Sequence, residues 1–101
     1  MKKLCSIETQ SGSFYGIYSE GKKLFIDVKG SFYEIIGFAT YQIPPSEILH
    51  MAPEARPAGY DISHKIMVGR HVVWNEPGEK WGATSKIKKI HFDKESELSA
   101  A

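Results

Sequence analysis

Histidines and nearby carboxylates are the residues of this chain that could carry out acid–base or metal chemistry. Imidazole titrates close to neutral pH and is a common metal ligand. An enzyme site would combine His64 and His71 with carboxylates from Asp61 and Glu76. The spacing matches none of the short zinc, phosphate-loop or nucleophile motifs. We therefore expect no enzyme, no metal and no cofactor, and interpret the histidines as scattered surface residues. The four histidines are His50, His64, His71 and His91.

The single cysteine, Cys5, is the other candidate for catalysis. A nucleophilic cysteine needs an exposed thiolate beside a cationic group. The period-2 pattern of residues 3–9 instead places Cys5 on the same face as Ile7, which predicts a buried and inert thiol. One cysteine cannot form an internal disulfide, and a cytoplasmic location is the default expectation.

A basic stretch covers residues 84–94. Residues 80–94 hold five lysines against one aspartate, a local charge of +4 in a chain whose net charge is +1. Lysines neutralise phosphates while aromatic rings stack on bases, so a nucleic-acid-binding barrel is one interpretation. Lysines on an edge strand also prevent other chains from adding to a sheet, and the balanced total charge favours this second interpretation. The residues of the nucleic-acid alternative are Lys86, Lys88 and Lys89.

Aromatic residues indicate a binding surface. Trp81 follows a turn at Pro77, where the pattern offers no strand face to bury it. The segment 52–64 is long, rich in proline and irregular, as binding loops often are. We predict that loops 52–64 and 75–83 together form a site for a small molecule or a protein partner. The residues assigned to this site are Arg56, Tyr60, His64 and Trp81.

The composition favours strands as the elements that position these residues. Ile, Val, Thr, Phe, Tyr and Trp together number 30, against 11 for Leu and Ala. Turn residues recur at intervals of about ten, the rhythm of antiparallel hairpins. We predict a mainly β fold, a small antiparallel sheet curled into a barrel or roll of SH3-like or OB-like type, with at most one short helix near residues 46–51. The six predicted strands are 3–9, 14–19, 24–28, 33–43, 65–74 and 84–92.

The longest predicted strand, 33–43, carries apolar groups on both faces, and Gly37 at its centre predicts a bulge or bend. Ile36 and Phe38 point away from the predicted core, so we expect them to form a homodimer interface. Around Gly69 two strand registers stay open, since a bulge there would exchange the inward and outward faces.

The length of 101 residues allows one domain, predicted over 1–94, followed by a frayed tail at 95–101. No apolar run reaches the ~18 residues of a membrane span, so we expect a soluble protein without membrane contact. The predicted function is a small binding or interaction module that self-associates. A nucleic-acid-binding barrel is the alternative, and an enzyme with an unrecognised site is the third.

Overall fold

The computed structural model describes residues 1–92, which form a mainly β fold of eight antiparallel strands with one short helix. The predicted mainly β fold of one antiparallel sheet and the helix near residues 46–51 are confirmed, and closure of the sheet into a barrel stays a prediction. The predicted domain boundary at residue 94 and the tail at 95–101 lie outside the described residues. The elements are β1 (Lys2–Thr9), β2 (Phe14–Glu20), β3 (Lys23–Val28), β4 (Ser31–Ala39), α1 (Pro45–His50), a 3-10 turn (Pro53–Ala55), β5 (Ile62–Ser63), β6 (His71–Glu76), β7 (Lys80–Ala83) and β8 (Ile87–Phe92).

The strands follow the order β7-β6-β4-β3-β2-β1-β8, with β5 paired to β4. The first four strands are a meander, as their regularly spaced turns predict. The segment before β6 also reaches β8: the Gly69 N–H donates to the Ile87 carbonyl, and the Ile87 N–H donates to the Arg70 carbonyl, both at 2.8 Å. These bonds bridge the curled sheet, although no ladder joins β7 to β8 within residues 1–92.

Eight strands form where six were predicted, because two short ones have little sequence signal. Strand β5 has only two residues, and β7 follows a turn that is tighter than expected. Glu76 pairs with Lys80, so the turn spans only residues 77–79, with Gly78 and Glu79 at φ values of 78° and 59°. Trp81 therefore lies on a strand, which corrects its predicted position in a loop.

The predicted strand over 33–43 is too long, since β4 ends at Ala39. The next residue, Thr40, leaves the ladder and bonds to a neighbouring loop. Its N–H donates to the Asp61 carbonyl at 2.9 Å, and its hydroxyl donates to the Gly59 carbonyl at 3.0 Å. The chain thus turns out of the sheet before it reaches the prolines.

The first half of the predicted strand over 65–74 is also wrong. Gly69 has a φ of 88°, a left-handed conformation that interrupts an extended strand, and β6 begins only at His71. Val72 and Trp74 belong to the core, while Val68 is exposed. Val72 and Trp74 therefore share the core face of β6, and Val73 is buried on the opposite face.

A bulge in β4 decides which side chains reach the core. The pairing of β4 with β6 shifts register between Ile35 and Gly37, as the central glycine predicts. The extra residue, Ile36, reverses the alternation, so Ile35 and Phe38 both point inward. Phe38 is fully buried within the single chain, and its predicted place in a dimer interface is therefore wrong. Ile36 is half-buried, and self-association stays a prediction.

The core lies between the two sides of the curled sheet. Cys5 is buried beside Ile7, which confirms its predicted inward direction. Trp74 is the largest aromatic of the core, and the ring of Tyr33 stacks on it at 6.4 Å between ring centroids. The core cluster consists of Cys5, Ile7, Ile17, Ile26, Ile35, Phe38, Val72, Trp74 and Ile87.

Candidate functional site

A cleft of about 430 Å³ lies between helix α1 and the β6–β7 hairpin. The helix forms one wall with polar and charged side chains, and the hairpin forms the other with its turn and the exposed Trp81. The cleft is open to solvent, and polar groups make up much of its lining. The lining residues are Ser46, Glu47, His50, Asn75, Glu76, Glu79, Lys80 and Trp81.

The pairing of β6 with β7 determines the direction of Trp81. Trp74 pairs with Gly82, and Asn75 pairs with Trp81. Because side chains alternate along a strand, Trp74 points into the core and Trp81 points out, on the same face as Asn75. Trp81 keeps 37% of its surface exposed, whereas Trp74 keeps 6%. The indole of Trp81 is therefore accessible in the cleft.

The charges of the cleft are predominantly negative. The lining residues include three glutamates, Glu47, Glu76 and Glu79, and one lysine, Lys80, so their net charge is −2 with His50 counted as neutral. The Glu76 carboxylate accepts a hydrogen bond from Trp74 Nε1 at 3.2 Å, so it lies on the face of the hairpin opposite Trp81, and Glu47 and Glu79 are the carboxylates available beside the indole. An aromatic face flanked by carboxylates is suited to bind an ammonium or guanidinium group.

Two hydrogen bonds anchor the chain just before α1 and so hold that wall of the cleft. Gln42 Nε2 donates to the Thr84 carbonyl at 2.8 Å, and the Tyr60 hydroxyl donates to the Ile43 carbonyl at 2.7 Å. Pro44 is buried, and the helix starts at Pro45, whose ring suits the first helical turn. Burial raises the pKa of the Tyr60 hydroxyl, because the charged phenolate would lose its hydration there.

Of the four residues predicted for the binding surface, only Trp81 lines this cleft. Tyr60 fastens its loop to Ile43, and Arg56 Nε donates to the Met51 carbonyl at 3.3 Å. His64 lines a different cleft of about 330 Å³, together with residues of β3 and β4. The wall opposite Trp81 in this cleft is α1, and a site formed by loops 52–64 and 75–83 stays a prediction.

Three of the four residues considered for an enzyme site, namely Asp61, His71 and Glu76, each have a different partner. Asp61 forms an ion pair with Arg70 at 2.7 Å, and His71 Nδ1 lies 2.8 Å from the Thr84 carbonyl. Glu76 accepts its bond from the indole of Trp74, within the hairpin. Within residues 1–92, no group of three or more His, Cys, Asp or Glu side chains is arranged to hold a metal ion.

The basic strand β8 displays its lysines to solvent, but a carboxylate lies among them. Lys88 Nζ is 3.8 Å from a carboxylate oxygen of Glu8, and the His91 ring is also 3.8 Å from that carboxylate. Lys89 pairs with Glu8 in the ladder between β1 and β8, and Lys86 is exposed before β8 begins. Binding of nucleic acid to this strand stays a prediction.

The sequence reasoning missed the helix wall, namely Glu47 and His50. The excess of acidic residues over 30–79 was visible in the sequence, but nothing in the pattern showed that Glu47 meets Glu76 and Glu79 in space. The hairpin half of the site could be found, since an aromatic residue next to a proline-glycine turn is a visible signal.

Comparisons with known proteins do not identify a relative: no family model, no curated protein and no solved structure matches this chain. Within residues 1–92, the structure contains no helix with the length and apolar character needed to cross a membrane. The function is therefore inferred from the geometry of the chain itself.

Proposed function

We propose that this chain is an interaction module that binds a basic side chain of a protein partner in the cleft between α1 and the β6–β7 hairpin. One observation carries the proposal: the exposed indole of Trp81 lines a cleft together with Glu47 and Glu79. Lysine and arginine side chains combine an apolar stem with a cationic head, so they match both features.

The indole supplies the apolar and cation–π part of the interaction. Tryptophan is the best aromatic partner for a cation, and such a contact is worth about 0.5–2 kcal/mol, depending on how far it is desolvated. The stem of the bound side chain would lie along the ring of Trp81. The head group would then reach the carboxylates of Glu47 and Glu79 across the cleft.

The carboxylates supply charge selectivity. A net charge of −2 repels acidic ligands and attracts basic ones, and the effect decreases as salt screens it. A single site of this kind gives weak binding, as is usual for transient interaction modules.

Calorimetric titration of a short lysine-rich peptide tests the proposal. We expect binding by the wild type, and weaker binding by Trp81→Ala and by Glu47→Gln. The matched control is Phe14→Ala, which removes another exposed aromatic, on β2, and which we expect to leave the affinity unchanged. Equal affinity for an acidic peptide, or unchanged affinity in both cleft variants, would overturn the proposal.

A further inference from the structure

The open edge of β7 lies next to the cleft. Strand β7 stands at one end of the sheet, and β6 is its only partner in the described ladders. Among the backbone hydrogen bonds described outside the ladders, none involves Trp81 or Ala83. The backbone of β7 therefore offers hydrogen-bonding groups for a further strand.

The pairing pattern identifies these groups. The Thr84 N–H donates to the Val72 carbonyl at 3.0 Å, so the amide of Thr84 faces β6. In an antiparallel ladder, amides face the partner strand at alternate residues. The amides of Gly82 and Lys80 then also face β6, whereas those of Trp81 and Ala83 face the open edge.

We infer that the basic segment of the partner binds in extended conformation as an additional strand on β7. This inference rests on the proposed function. Trp81 links the two parts of the site, since its backbone faces the open edge and its side chain lines the cleft. Addition of a strand to an exposed sheet edge is a known mode of peptide recognition, in which backbone bonds give affinity and alternate side chains give specificity.

The geometry of a paired strand brings the basic side chain to the indole. Residues directly opposite one another on adjacent strands have Cβ atoms about 4.5–5.5 Å apart and lie on the same face. A lysine or arginine opposite Trp81 would therefore enter the cleft from the open edge. Its neighbours along the peptide would point to the other face, so basic residues at every second position suit the site.

The opposite end of the sheet is a poor place for the same peptide. The backbone at the start of β8 is already engaged there, since Ile87 exchanges hydrogen bonds with Gly69 and Arg70. Strand β8 also exposes Lys88 and Lys89, which would repel a basic segment. Charge complementarity thus favours the edge of β7.

N-methylation of the peptide tests the backbone bonds separately from the charge. In a peptide with lysine at every second position, methyl groups on the amides that face β7 should weaken binding by about tenfold or more, as loss of hydrogen bonds does. Methyl groups on the intervening amides are the matched control, and these should have a much smaller effect. Equal effects of the two methylation patterns would overturn the inference.

A variant of the protein tests the same backbone hydrogen bonds by removing a donor from β7. Ala83→Pro removes an N–H group at the open edge, whereas the N–H of Gly82 still bonds to β6. Proline is tolerated at such a position of an edge strand. We expect weaker peptide binding, with Ala83→Ser as the control that keeps the amide. Should Ala83→Pro fail to fold, the methylated peptides still decide the question with the wild-type protein.

The two proposals fail in different ways. Binding that depends on Trp81 and Glu47 but tolerates N-methylation at every amide would support the cleft and overturn strand addition. Absence of any binding of lysine-rich peptides would overturn the proposed function, and the inference with it.

Discussion

The indole of Trp74 lies directly against the backbone of Gly82. A Cβ atom at Gly82 would clash with Cζ2, Cε2 and Nε1 of that ring, the last at 2.7 Å. The absence of a side chain at residue 82 lets β7 pair with β6 while the indole of Trp74 lies over Gly82. The preceding residue, Trp81, is consequently turned to the outer face, where it lines the cleft.

Gly82→Ala should therefore destabilise the protein by about 1–3 kcal/mol, the usual cost of overpacking around a buried side chain. Gly16→Ala is the matched control. A Cβ there would meet the ring of Tyr18 at 2.9 Å and the stem of Lys3 at 3.6 Å, and both side chains lie at a partly exposed surface where the ring can move. Urea unfolding of the two variants measures the difference, and equal costs would contradict the account of the hairpin.

Trp81→Ala should cost little stability but should weaken binding. With 37% of its surface exposed, Trp81 should contribute about 1–2 kcal/mol to folding, less than the ~3–5 kcal/mol of a buried aromatic residue. Thermal and urea unfolding of the variant measure this cost. A loss on the scale of a buried tryptophan would mean that Trp81 covers the core rather than lining a binding site.

Arg70 should be more important for stability than its partner Asp61. The Arg70 side chain is only 18% exposed, pairs with Asp61 at 2.7 Å, and donates a hydrogen bond from Nη1 to the Phe38 carbonyl at 3.3 Å. Arg70→Ala removes both interactions, and we expect a cost of about 1–3 kcal/mol. Asp61→Asn removes only the charge at a side chain that is 62% exposed, so its cost should be below about 1 kcal/mol. The reverse order in urea unfolding would contradict this assignment.

Ionisation of Tyr60 should lower the free energy of unfolding of the protein at alkaline pH. Burial raises its pKa above the ordinary value of about 10, so the folded state favours the protonated hydroxyl that bonds to Ile43. The stabilisation is present below the ordinary pKa and is lost as the pH rises through the raised pKa. We expect Tyr60→Phe to cost about 0.5–1.5 kcal/mol near neutral pH and to reduce the alkaline loss. If the free energy of unfolding falls with pH equally steeply in the wild type and in Tyr60→Phe above pH 10, this expectation is contradicted.

The sequence predicted the meander well because local signals determine it. Turn residues and period-2 alternation lie within a few residues of each other in β1, β2 and β3, and their bounds differ from the prediction by one residue. Even Gly37 marked the bulge of β4. The face of the sheet to which Phe38 points could not be derived. A bulge of one residue moves every later side chain of the strand to the opposite face.

The candidate site was predicted only in part, because its two walls are far apart in the sequence. Trp81 was visible as an aromatic residue near a turn, but Glu47 becomes its neighbour only when Gln42 bonds to Thr84 and Tyr60 bonds to Ile43. Such bonds between loops leave no periodic pattern. For the same reason, Thr40 appeared to continue a strand that in fact ends at Ala39.

Nuclear magnetic resonance of the wild-type protein tests the central claim most directly, since it locates the binding of a lysine-rich peptide. We predict saturable shifts of the Trp81 indole N–H and of the α1 amides around Glu47, with weaker binding at higher salt because charges across the cleft are screened. The resonances of Phe14 should stay unchanged. Shifts confined to other surfaces, such as the cleft at His64, with no response of Trp81, would contradict the proposal that the cleft beside α1 binds basic side chains.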